Sequence, residues 1–139
     1  MIVVDTNVVS ELMRAEPERS VVAWVKRQDP FNLRISAVTV AEVLYGIERL
    51  ADGQRKNTLR FAAEGLFAQF ADEVLPFDAE AAAIYAEIVN HRDRQGMPMS
   101  GFDAQIAAIC RVHDAALSTR NERDFSDVGV ELINPWVAK

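Results

Sequence analysis

The sequence predicts an α/β fold in which helices cover both faces of a parallel sheet, and three observations carry that prediction. Short β-branched runs alternate with longer segments whose apolar residues recur every three or four positions. The first run, Ile2-Val3-Val4, is apolar at consecutive positions, as a strand buried on both faces requires. Acidic residues then stand where strands end or helices begin, with Asp5 the first of them.

At 139 residues the chain fits one domain over 1–139, large enough to bury roughly two-thirds of the surface its unfolded form exposes. Half of the residues are hydrophobic and 26% are charged, a globular composition. The single cysteine, Cys110, excludes an internal disulfide framework and suits a reducing, cytoplasmic setting. No apolar run approaches the ~20 residues of a membrane span, and Asp5 interrupts the opening run before any basic leader, so neither a membrane anchor nor a signal peptide is expected. A net charge of −6 argues against a non-specific DNA coat, because phosphate binding rests on Lys and Arg. It leaves room for a nucleic-acid substrate reached through a bound divalent cation, which would present positive charge from an acidic cluster.

In chain order, Ile2 to Val4 form the first strand, and Val8, Val9, Leu12 and Met13 have helical spacing after it. A second short helix follows Pro17, with Val21, Val22 and Val25 inward, and the Asp29-Pro30 turn leads to a strand over Leu33 to Ser36. Thr39-Val40-Ala41-Glu42 has the form of a capping box, opening a helix with an apolar stripe of Val40, Val43, Leu44, Ile47 and Leu50 that ends near Asp52-Gly53. A further helix carries Leu59, Ala62, Ala63, Leu66, Phe67 and Phe70. This hairpin of helices either packs wholly on the sheet or offers a surface to a partner.

Val74 to Phe77 reads as a third strand, and Asp78 caps a long helix with Ala81, Ile84, Tyr85 and Ile88 inward and Gly96 as its stop. Ser100 opens another helix through His113, with Phe102, Ile106, Ile109 and Cys110 on its apolar face and His113 semi-buried. Ala115 to Thr119 is a fourth strand, Arg120 to Phe125 a loop and Val130 to Ile133 a fifth strand.

Crossover helices run antiparallel to the strands, so helix N-termini gather at the edge where the strands end. Asp5, Glu42, Asp103, Asn121 and Asp124 all fall on that edge, where open α/β sheets place ligands. Carboxylates brought together in one cleft repel by several kcal/mol per close pair, at an effective dielectric of about 20. They need protons or a cation, and oxygen-only ligands select Mg²⁺ or Mn²⁺. Each acid also has a local explanation: Glu42 in its capping box, Asp103 in the first turn after Ser100, Asp5 as a cap of the first helix. Cys110, near a helix end, reads as a small hydrophobe, and the six scattered glycines form no phosphate loop.

Ile2-Val3-Val4-Asp5-Thr6-Asn7, the stretch Ser36 to Glu42, Phe102-Asp103-Ala104-Gln105-Ile106-Ala107-Ala108, and Ser118-Thr119-Arg120-Asn121 leading to Asp124-Phe125 resemble the four motifs of the PIN-domain nucleases. More narrowly, the chain resembles the VapC and FitB-type toxins of bacterial toxin–antitoxin pairs, nearly end to end and including Asn134-Pro135-Trp136. The resemblance implies a three-layer α/β/α sandwich around a five-stranded parallel sheet, a Mg²⁺- or Mn²⁺-dependent ribonuclease, a VapB-like antitoxin that supplies any DNA contact, and a homodimer.

Asp5, Glu42 and Asp103 carry over as the acidic centre and metal ligands. The fourth position falls on Asp124, with Asn121 as a hydrogen-bonding neighbour, since relatives place an acid at one or the other. Thr6 and Asn7 are expected to orient Asp5 or the attacking water, and Arg120 or Arg123 to meet substrate phosphates unless they are simply solvated. The products expected from the resemblance carry 5′-phosphate and 3′-hydroxyl ends. Two rival readings stand beside this one. A metal-dependent phosphatase would lack its usual second acid where Asn7 stands. An antitoxin-binding regulatory subunit of a DNA-binding complex, with weak or no nuclease activity, would use the helical hairpin.

Overall fold

The computed structural model describes residues 1–70 and 74–138. Strand β1, Ile2–Val4, lies inside a four-stranded parallel sheet of order β2-β1-β3-β4, with β2 at Leu33–Arg34, β3 at Ala116–Ser118 and β4 at Leu132–Ile133. Ile2 and Val3 register with Leu33 and Arg34 on one side, while Ile2, Val3 and Val4 register with Ala116, Leu117 and Ser118 on the other. Leu117 and Ser118 then pair with Leu132 and Ile133.

Among the described residues the expected five strands are therefore four. The third expected strand, Val74 to Phe77, is reduced to one parallel bridge, in which the Leu75 N–H donates to Ile35 and its carbonyl accepts from Ala37. Pro76, which has no N–H, follows at once and stops the ladder. The final strand is shorter than Val130 to Ile133, because Gly129 turns the chain at a φ of +76° just before it.

Helices α1 (Thr6–Leu12), α2 (Arg19–Arg27), α3 (Ala37–Glu48) and α4 (Gln54–Gln69) lie on one face. On the other lie α5 (Ala79–Arg94) and α6 (Gly101–Val112). The two-residue period of β1 divides the core accordingly: Ile2 and Val4 join Val8, Val9, Trp24, Ile47 and Phe70, while Val3 joins Ile88, Ile106, Ile109, Leu117 and Phe125. The three layers expected from the alternation of elements are present. Burying one such Ile or Leu contributes about 1.5–3 kcal/mol, so both cores hold β1, and with it Asp5, in place. No helix among the described residues is long and apolar enough to cross a membrane.

Several local expectations change. Helix α3 starts three residues before the capping box: Ser36 is the N-cap, its hydroxyl accepting from the Thr39 N–H at 3.1 Å. Thr39 is thus a buried helical residue, and Glu42 sits in the second turn and not the first. Phe102 is 54% exposed and points away from the apolar face of α6, where Ala104, Ala107 and Ala108 are buried with Ile106, Ile109 and Cys110. His113 is exposed just beyond α6, and Glu122–Phe125 forms a 3-10 turn within what reads as a loop. Asp78 does cap α5, accepting from the Ala81 N–H at 2.9 Å, and Gly96 ends that helix at a φ of +70°.

Candidate functional site

Asp5 follows β1 directly, so its side chain emerges at the end of a strand flanked on both sides. It is 3% exposed. One carboxylate oxygen accepts the Thr6 backbone N–H at 2.8 Å, capping α1, while the other accepts the Thr119 hydroxyl at 2.7 Å and the Asn7 amide at 3.2 Å. Thr119 follows β3, the strand beside β1, which brings its hydroxyl to Asp5. That hydroxyl uses its full capacity, donating once and accepting from Asn7 Nδ2 and from the Asn121 N–H. Asn7 Oδ1 meanwhile accepts the Arg120 N–H at 3.3 Å, which fixes the orientation of the Asn7 amide.

The remaining acids arrive from helices. The Thr6 hydroxyl donates to Glu42 Oε1 at 2.8 Å and lies 3.1 Å from the Thr39 hydroxyl. Asp103 stands in the first turn of α6, held there because the Ser100 hydroxyl accepts its backbone N–H at 3.1 Å. Burial pushes the Asp5 carboxyl up to about 6, and the charges of Asp103 and Glu42 act in the same direction against the hydrogen bonds from Thr119 and Thr6. Burial also raises Asp103, reinforced by the charges of Asp124 and Glu42 and opposed by the Ser100 hydroxyl and Arg92. The acids therefore feel one another across a shared space.

That space is a cleft whose lining includes Asp5, Thr6, Asn7, Glu42, Asp103, Arg120, Asn121 and Trp136. Four of these, Asp5, Glu42, Asp103 and Asn121, are residues expected at the strand-end edge, and Thr6, Asn7 and Arg120 are residues that the family resemblance adds. Asp124 and Arg123 do not line it. Asp124 is exposed on the 3-10 turn, acting on Asp103 through its charge, whereas Asn121 reaches the cleft wall. Among the described residues no three His, Cys, Asp or Glu side chains stand close enough to enclose an ion by themselves. An open set of acids suits a hard cation such as Mg²⁺, which retains several waters and takes only one or two carboxylates.

The sequence assigns no role in the site to four contributors. Thr119, quoted in the last of the four motifs but read only as the end of a strand, carries the shortest hydrogen bond to Asp5. Arg92 is 4% exposed and donates to the carbonyls of Met97, Asp124 and Ser126, tying the turn that carries Asp124 to the connection ahead of Asp103. Glu11 lines the cleft too, but its carboxylate is engaged by the Glu18 N–H at 2.9 Å and by Arg14. Trp136 presents its ring to Arg120. Cys110, by contrast, is buried with its thiol pushed up to about 12 and is no nucleophile.

Beside the cleft runs a groove lined by Met13, Val43, Ile47, Leu50 and Leu59 from α3, α4 and the end of α1, and it shares Thr6, Ser10, Arg14 and Glu42 with the acidic site.

The PIN domain family matches residues 2–131. The chain is 39% identical over 137 residues to the VapC ribonuclease Y4jK of Sinorhizobium fredii, covering 98% of both chains. It is 38% identical over 137 residues to toxin FitB of Neisseria gonorrhoeae, covering 98% of this chain and 99% of FitB. Its fold superposes with a TM-score of 0.93 on a chain in the structure of FitAB bound to an IR36 DNA fragment, at 37% identity over 100% of this chain and 98% of the other. The chain belongs to the PIN-domain family, among its VapC/FitB-type toxins.

Proposed function

We propose that this single-domain chain is a Mg²⁺- or Mn²⁺-dependent endoribonuclease, the toxin of a VapBC-type pair, acting in the cytoplasm as a homodimer. The observation that carries the reading is Asp5, a carboxylate 3% exposed at the end of β1 that shares one cleft with Asp103 and Glu42. A divalent cation among the three carboxylates would offset both that burial and their mutual repulsion. The ribonuclease name of the Sinorhizobium relative supports the substrate class.

Asp5 and Asp103 would hold the ion, and Glu42 a second ion or the attacking water. When bound, the ion supplies electrostatic stabilisation of the charge that develops on the phosphate and the leaving oxygen. Thr119, Thr6 and Asn7 hold the Asp5 carboxylate in one orientation. Glu42, already engaged by the Thr6 hydroxyl, is poised at the cleft wall to accept a proton from water. Water forms the new bond to phosphorus as its proton passes to Glu42, the P–O3′ bond breaks, and the leaving O3′ takes a proton from solvent, which gives 5′-phosphate and 3′-hydroxyl ends. Asn121 lines the site as a hydrogen-bonding group, with Asp124 adding negative charge behind Asp103.

A VapB-like antitoxin fits the apolar groove between α1, α3 and α4, which opens into the acidic cleft. The FitAB structure on DNA supports an antitoxin as the source of DNA contacts, since this chain is acidic overall. The same groove favours the second reading, a binding subunit of a DNA-bound complex. The two roles coexist unless the isolated chain binds the ion, cleaves nothing, and shifts operator DNA only with its partner.

The test is cleavage of total RNA by the purified chain with Mg²⁺, with EDTA, and by Asp5→Asn and Asp103→Asn. Cleavage that needs Mg²⁺ and disappears in both variants is expected. Undiminished cleavage by both overturns the assignment.

A further inference from the structure

The cleft is lined by Asp5, Glu11, Glu42 and Asp103 but by only two cations, Arg14 and Arg120. A polyanionic strand entering such a cleft needs positive charge that is not already neutralised. Arg14 is paired with Glu11 at 3.2 Å. Arg120 makes no ion pair within 4.0 Å of a carboxylate among the described residues, and its charge reaches Glu11 only at longer range. Its guanidinium stands instead 5.0 Å from the centroid of the Trp136 ring.

That contact sets the guanidinium carbon over the indole ring. The ring attracts the charge without cancelling it, so the cation keeps its capacity to donate to a phosphate oxygen. Both partners are themselves anchored. The Arg120 N–H donates to Asn7 Oδ1, so its backbone belongs to the network around Asp5. The Trp136 N–H donates to Asn134 Oδ1 at 3.0 Å, Asn134 donates to Glu122 at 3.2 Å, and the half-buried ring packs on the core beneath the sheet.

We infer that Arg120 is the phosphate-binding cation of this cleft and that Trp136 is the positioning residue that holds its guanidinium over it. The inference rests on the nuclease reading and adds the group that seats the strand. Arg123, which stands outside the cleft, does not share the role.

The experiment measures binding of a fluorescein-labelled 20-nucleotide oligouridine to the full chain, with Ca²⁺ in place of Mg²⁺, across a series of salt concentrations. Arg120→Ala is expected to weaken binding on the order of tenfold and to flatten the slope of log affinity against log salt by about 0.7, one phosphate contact on a single strand. Trp136→Leu is expected to reproduce both changes, Trp136→Phe to retain most of the affinity and slope, and the double variant R120A/W136L to bind no more weakly than R120A.

Three results overturn the inference: a wild-type chain that does not bind the oligonucleotide, a W136L variant with a lower melting temperature but an unchanged salt slope, or a W136L effect that persists in the R120A background. The last would make the ring a base-stacking platform. The nuclease reading fails separately. If D5N and D103N cleave RNA as well as the wild type, that reading falls whatever the slope; if cleavage requires both acids while R120A leaves the slope intact, only the role of Arg120 and Trp136 falls.

Discussion

Asp5 and Asp78 occupy the same local setting and differ in everything around it. Each caps a helix through one carboxylate oxygen, Asp5 accepting the Thr6 N–H at 2.8 Å and Asp78 the Ala81 N–H at 2.9 Å. Asp78 follows the single-bridge edge at Leu75 and Pro76 and is exposed to water. Asp5 ends a strand paired on both sides and is 3% exposed, with its second oxygen bound by Thr119. A cap is thus a local property, whereas a charged site is made by position in the sheet. Desolvation and the facing acids separate the two residues, and neither is visible in the five residues around each.

The largest contrast is expected in catalysis. Asp5→Asn keeps an oxygen for the Thr6 N–H but removes the charge, and Mg²⁺-dependent cleavage should fall by about a thousandfold or more, given the several kcal/mol that metal chemistry supplies. Asp78→Asn should leave cleavage within about twofold, because an exposed cap away from the cleft does not alter transition-state binding. A loss of activity in the Asp78 variant comparable to that in the Asp5 variant would erase the distinction.

Stability should move the opposite way. The rise of Asp5 from 3.8 to about 6 means that the folded chain binds a proton more tightly than the unfolded one. Its contribution is present in full below about pH 4 and is lost as pH rises toward and through about 6, a difference of about 3 kcal/mol. In EDTA, the stability of wild type relative to Asp5→Asn should therefore decline over that window in urea titrations. An Asp5 contribution that grows with pH would contradict the burial argument.

Thr119→Val removes the donor at 2.7 Å and should raise the Asp5 carboxyl further, by about one pH unit, moving the acid limb of the pH–rate profile upward. Thr119→Ser should restore it. An unmoved profile in Thr119→Val would assign that hydroxyl to packing alone. The smallest effect belongs to the exposed cap: Asp78→Ala should cost about 1 kcal/mol in thermal melts through the frayed start of α5. A cost several times larger would mean that Asp78 does more than cap.

Much of this arrangement was legible in the residues. Consecutive apolar positions identified β1 as a doubly covered strand, and the alternation of elements placed Asp5, Glu42, Asp103 and Asn121 on one cleft wall. Local signals failed where two residues competed for one role. Ser36 and Thr39 are both good caps; Ser36 takes the position, and Thr39 turns inward toward Thr6. The acid of the apparent box is then free of capping and reaches the cleft from the second turn. Arg92 left no trace, because its carbonyl partners lie 5, 32 and 34 residues away and are brought together by α5 and the 3-10 turn. Which of Asn121 and Asp124 lines the cleft likewise depends on where that turn points, which spacing does not encode.

If a divalent cation relieves the burial of the Asp5 carboxylate, thermal unfolding at pH 7.5 with and without Mg²⁺ tests it most directly. Wild type should melt higher as Mg²⁺ is added, by linkage of binding to folding. Asp5→Asn should start at or above the metal-free wild type and respond little. A wild type indifferent to Mg²⁺, together with an Asp5→Asn variant less stable than it, would instead make Asp5 a structural cap like Asp78.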